Sequence, residues 1–147
     1  MKTRCVIVAG GNCLSEHFNI VDDTCFVIAA DSGLAHCNNS GIVPDLIVGD
    51  FDSYTGSIPS GIDVVKLPTH KDDTDLMYAA RCGVERDFKD FVLLGGYGSR
   101  PDQNMAMYRT LCWITDMVKN AKVSAICDGF EVFVVKNGNI KITKSND

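Results

Sequence analysis

The sequence predicts an α/β domain with a mainly parallel sheet, followed by the start of an antiparallel β module. Three observations carry this expectation. Short apolar runs alternate with helix-period segments from Arg4 to about Ala125. Those runs are continuously apolar, so the sheet should be covered on both faces. Beyond Ala125 the helix signals stop, and "EVFVVKNGNIKI" reads as a hairpin turning at Asn137-Gly138.

The elements follow in order. "RCVIVA", Arg4 to Ala9, is a buried strand ending at Gly10-Gly11. Ser15 to Val21 is a short helix or turn. "CFVIAA", Cys25 to Ala30, is a second buried strand, and "DSGLAHCNNSG" a brief helix closed by Gly41. Asp45 to Val48 is a third strand behind Pro44, and Asp63 to Leu67 a fourth after the turn-rich "SYTGSIPSG". Leu76, Ala80 and Val84 recur every four residues, which predicts a helix from about Asp73, capped by Asp72 or Asp73. "FVLL", Phe91 to Leu94, is another buried strand and runs into "GGYGSR". Met107, Leu111, Ile114 and Val118 mark a long helix from Pro101 to Asn120, with proline tolerated in its first turn. The arrangement is a Rossmann-like, three-layer sheet domain over residues 1–126. Residues 127–147 are expected to be a β-hairpin that opens a truncated β module.

The totals narrow the function. The chain has 147 residues, 46% of them hydrophobic, enough for one domain with a real core. Nineteen acidic residues against 14 basic give a formal charge of -5 with no basic stripe, which argues against a nucleic-acid polymer as partner. Seven scattered cysteines form no C-x-x-C pair. They read as reduced structural thiols of a cytoplasmic protein. The apolar run in "MKTRCVIVAGG" is too short for a signal core or a membrane span.

Carboxylates follow the strands. Asp31 comes after the second, Asp50 and Asp52 after the third, and Asp72 and Asp75 after the fourth. Gly95, Gly96, Gly98, Arg100 and Asp102 come after "FVLL". Parallel strands bring these groups to one edge, where ligands gather in an open sheet. A single Asp after a strand is usually a turn former or a cap, but four successive strand ends carrying Asp exceed turn chemistry. Such crowding is costly without a cation. Magnesium answers it, joining one or two carboxylates to substrate phosphates. Gly95 and Gly96 leave backbone amides open to phosphate, and Lys71 and Arg100 can neutralise the remaining charge. His17, His36 and His70 lack metal spacing, and Trp113 reads as core or interface.

"AADSGL", "PDLIVGDFDS", "KDDTDLMYA" and "GGYGSRPDQNMA" resemble, in order and approximate spacing, the motifs of the thiamine pyrophosphokinase family. The resemblance covers nearly the whole chain. It implies an α/β catalytic domain followed by a β-sandwich, a homodimer, and transfer of pyrophosphate from ATP to the hydroxyl of thiamine. It also implies Asp31, Asp50, Asp52 and Asp75 at the magnesium and ATP phosphates, and Arg100, Asp102 and Gln103 near nucleotide and thiamine. Magnesium and Arg100 would stabilise phosphoryl charge, with Asp75 or Asp102 taking the hydroxyl proton. The chain departs from the family pattern at Ser32 and Ser99, where glycine is usual, at Pro101, usually an apolar residue, and at Gln103, where histidine is common. Two other readings compete: a magnesium-dependent phosphatase with Asp50 as nucleophile, and a non-catalytic nucleotide-binding module.

Overall fold

The computed structural model describes residues 1–50, 58–68 and 74–143. The strands are β1 (Arg4–Val8), β2 (Cys25–Ala30), β3 (Leu46–Gly49), β4 (Asp63–Lys66), β5 (Asp90–Leu94), β6 (Lys122–Cys127) and β7 (Phe130–Val134). The α-helices are α1 (Gly33–Asn39), α2 (Asp75–Glu85) and α3 (Pro101–Met117), and a 3-10 turn covers Ser15–Ile20. No helix among the described residues is long and apolar enough to cross a membrane.

The strands form one sheet in the order β4-β3-β2-β1-β5-β6-β7. Every pair is parallel except β6 with β7. The α/β, mainly parallel expectation is therefore met. Alternation along β1 shows why both faces need cover. Cys5 and Ile7 point into one core layer with residues of α2 and α3, such as Leu76, Ala80, Met107 and Leu111. Val6 and Val8 point into the other, with Leu34 and Cys37 of α1 and Phe18 of the 3-10 turn. All four β1 residues are fully buried, which explains a run with no polar member.

The chain lays β2, β3 and β4 to one side of β1, then crosses over to place β5, β6 and β7 on the other. The carboxyl ends of β1 and β5 thus flank the point where strand order reverses, and a parallel sheet opens a crevice at such a point.

Two local expectations are corrected. The N-cap of α2 is Thr74, whose hydroxyl accepts the Met77 N–H at 3.2 Å. Asp72 and Asp73, the expected caps, lie outside the described residues. A threonine in extended conformation directly before the first helical residue takes the capping role. The hairpin turns at Asp128-Gly129, where Gly129 has a φ of 85°, and not at Asn137-Gly138. Phe130–Val134 pairs backward with β6, from Cys127 opposite Phe130 to Val123 opposite Val134. The sheet edge offers this strand a full ladder, whereas a detached hairpin would be marginal. Asn137 does adopt a left-handed turn, at φ 53°, but residues 135–143 contain no strand.

All seven cysteines are free thiols, and Cys5, Cys25, Cys37 and Cys127 are buried. Burial pushes the Cys37 thiol up to about 12 and raises Cys5 as well. These groups serve as small core residues and are poor nucleophiles.

Candidate functional site

The site is built at the carboxyl edge of the sheet. Asp31 leaves β2 in the left-handed region, at φ 48°, a conformation that costs energy for any residue with a side chain. Its N–H donates to the Val48 carbonyl at 2.7 Å, so the end of β3 holds the bend in place. Gly49 makes room for it: a Cβ there would stand 3.1 Å from both Cα and Oδ1 of Asp31. Asp50 follows directly, and Asp75 enters from the first turn of α2 behind its Thr74 cap.

These three elements bring Asp31, Asp50 and Asp75 together. One carboxylate oxygen from each lies within 4.8 Å of the others, and all three residues are half-buried. The Oδ1 atoms of Asp31 and Asp75 are shielded from water. A hard-oxygen set of this kind fits magnesium and has no donor that would favour a softer metal. Asp31, Asp50 and Asp75 are three of the five carboxylates expected at this rim. Asp52, Lys71 and Asp72 lie outside the described residues.

A cleft of about 360 Å³ opens beside the acidic trio. Asp31 and Asp75 line it together with Gly95, Gly96, Arg100, Asp102 and Gln103. Arg100 is the N-cap residue of α3, with Pro101 in the first turn as expected. Its guanidinium donates to Asp102 at 2.8 Å, with side chains 64% and 67% exposed. This hydrogen bond and the positive charge hold the Asp102 carboxyl below its ordinary range. An exposed pair of this kind adds little to stability. It does keep a planar cation poised at the mouth of the cleft.

The lining also contains residues outside the run of strand-end carboxylates. Gly10 and Gly11, after β1, line the cleft together with Ser32 and Thr74. The Gly11 N–H donates to the Gly95 carbonyl at 2.6 Å, and the Asn12 N–H to the Tyr97 carbonyl at 2.8 Å. The two glycine turns are thus laced together at the reversal point. A Cβ on Gly11 would meet the Tyr97 carbonyl oxygen at 2.7 Å, so glycine is required there. His36 reaches across from α1, its Nε2 2.7 Å from the Gly11 carbonyl oxygen. The available signal was the Gly-Gly pair itself, just after a strand whose last four residues are fully buried.

The sequence profile of the thiamin pyrophosphokinase catalytic domain matches residues 18–127. The chain belongs to the thiamin pyrophosphokinase family. Solved members share its architecture. Thiamine pyrophosphokinase from Bacillus subtilis superposes with a TM-score of 0.75 at 26% identity, over 84% of this chain and 60% of that one. The Geobacillus thermodenitrificans thiamin pyrophosphokinase gives 0.66 at 23% identity, over 84% of this chain and 59% of that one. The Candida albicans protein gives 0.62 at 16%, over 85% and 58%. At the last two identities the likeness is one of fold. The chain therefore spans about 60% of the length of the family members it is compared with. No match is found among curated protein sequences.

Proposed function

We propose that this chain carries the ATP- and magnesium-binding half of a thiamine pyrophosphokinase, transferring pyrophosphate from ATP to the hydroxyl of thiamine with release of AMP. The observation that carries the proposal is the convergence of Asp31, Asp50 and Asp75 beside a glycine-walled cleft at the strand-order reversal. Those three carboxylates, with Asp52, would hold magnesium, which when bound would draw charge from the phosphate oxygens of the nucleotide. The amides of Gly95 and Gly96 and the start of α3 offer partial positive charge to the phosphates, and Lys71 and Gln103 complete the nucleotide contacts. Asp75 or Asp102, both on the cleft lining, would take the proton of the thiamine hydroxyl. Asp102 is exposed and held in its ionised form by Arg100, which makes it a weaker base. In the family's terms the protein would act in the cytoplasm as a homodimer, with a β module after residue 126 helping to enclose thiamine.

The test is production of AMP and thiamine diphosphate from ATP, thiamine and magnesium, followed by chromatography. ADP and inorganic phosphate in place of AMP and thiamine diphosphate, with the phosphoryl group lost from ATP trapped on Asp50 before water releases it, would instead establish the phosphatase chemistry. The same cleft and acidic set also accommodate a second reading, a nucleotide-binding module without turnover. Magnesium-dependent ATP binding with no AMP formed on adding thiamine would establish it.

Arg100 gives a sharper expectation. Asp102 engages its Nη2, the guanidinium has further N–H donors, and a planar fork can hold two phosphate oxygens at once where an ammonium cannot. Arg100→Lys should keep the fold and part of the ATP affinity, yet lose roughly 100-fold in transfer rate. Arg100→Ala should lose both affinity and rate. Full activity in Arg100→Lys would confine Arg100 to its surface pair with Asp102.

A further inference from the structure

The glycine-rich turn after β5 and the first turn of α3 both face the cleft, yet the turn has little of its own to hold it. Between Gly95 and Gly98 the only side chain is that of Tyr97. Such a segment keeps backbone freedom unless a group outside it removes that freedom.

Asn104 is that group. Its side-chain Oδ1 accepts the Gly98 N–H at 2.8 Å, and its Nδ2 donates to the Gly98 carbonyl at 2.9 Å. One amide thus satisfies both backbone groups of a residue six positions earlier. A backbone N–H can only donate and a carbonyl only accept, so the amide has one productive orientation. The Asn104 backbone N–H also donates to the carbonyl of Arg100, at 3.1 Å. Three residues along, on the same helix face, Met107 lies beneath Gly96, where a Cβ would stand 2.8 Å from its Cγ and Sδ. The far side of the turn is laced to the end of β1 through Gly11 and Asn12.

We propose that Asn104 is a positioning residue for phosphate recognition. By gripping Gly98 it fixes Gly95 and Gly96, on the cleft wall, relative to Arg100 and Gln103 at the start of α3. The inference rests on the nucleotide reading given above. Asn104 acts through Gly98 and does not line the cleft itself. Asparagine suits the task because it carries a donor and an acceptor on one short planar group. Aspartate keeps the acceptor but sets a negative charge against the Gly98 carbonyl. Alanine keeps neither.

The experiment combines amide hydrogen exchange with calorimetric titration of ATP and magnesium, on the full chain and on Asn104→Ala and Asn104→Asp. In Asn104→Ala the Gly98 amide should exchange faster by about tenfold or more, while the amides of β1 and β5 keep their protection. The dissociation constant for ATP with magnesium should rise about tenfold. Asn104→Asp should retain part of the Gly98 protection, because its acceptor survives. A merely structural role would lower protection in β1 and β5 as well, and that result overturns the proposal. So does an unchanged Gly98 exchange rate, or an ATP affinity within about twofold of the unsubstituted chain. If Asn104→Ala does not fold, Asn104→Asp is judged by the same criteria. An unsubstituted chain that binds no ATP overturns the nucleotide reading and the role of Asn104 together. Normal ATP binding that Asn104→Ala leaves intact overturns the role of Asn104 alone.

Discussion

Asp50→Asn is expected to weaken magnesium-dependent ATP binding by about 100-fold while leaving the unliganded fold as stable as before, or more so. The opposite signs come from one geometry. Asp31, Asp50 and Asp75 each place a carboxylate oxygen within 4.8 Å of the other two. At an effective dielectric constant of about 20, two unit charges at that separation repel by roughly 3 kcal/mol. A divalent cation placed among the three oxygens turns this mutual repulsion into attraction. The amide keeps the shape of the carboxylate and one oxygen but gives up the charge. The cation therefore loses a ligand charge, while the three carboxylates lose part of their mutual repulsion. Calorimetry with and without magnesium, beside thermal melts of the unliganded protein, reads both effects. Unchanged affinity would remove Asp50 from the metal site. A lower melting temperature without ligand would show that its carboxylate holds the fold instead.

The acidic trio was legible because a parallel sheet brings the carboxyl ends of its strands to one rim whatever their order. Asp31 after "CFVIAA" and Asp50 after "LIVG" could thus be placed together without knowing which strands are neighbours. The role of Gly10-Gly11 was not legible in the same way. A glycine pair after a strand reads as a turn, and its place in the cleft lining appears only once β1 is known to stand between β2 and β5. The hairpin was misplaced for a related reason. Asp128-Gly129 and Asn137-Gly138 are equally good local turn signals. The choice between them is made by β6, which presents an open edge to Phe130–Val134. Asp72, Asp73 and Thr74 are three consecutive capping types, and sequence alone does not rank them. Asn104 left no trace in periodicity, because its hold on Gly98 depends on the turn folding back over α3.

Gly95→Ala is expected to cost about 2–5 kcal/mol of stability, on the order of 10 °C in melting temperature, and to weaken ATP binding with it. Two separate costs contribute. Gly95 has a φ of 70°, in the left-handed region, where an ordinary side chain costs about 1–2 kcal/mol. A Cβ at this position would also run into the carbonyl oxygen of Ala9, which is backbone at the end of the central strand and cannot swing aside as a side chain would. Relief requires the turn to lift away from β1, which pulls on the bonds from Gly11 N–H to the Gly95 carbonyl and from Ala9 N–H to the Leu94 carbonyl. Gly41 separates the two costs. Its φ is 69°, almost the same, but a Cβ there would have no atom within 4 Å. Gly41→Ala should therefore show the conformational cost alone, about 1–2 kcal/mol, with ATP binding unchanged. The difference between the two variants measures the contact with Ala9. Equal melting temperatures for Gly95→Ala and Gly41→Ala would mean that the turn yields freely, and that the packing of Gly95 against β1 does not fix the cleft wall.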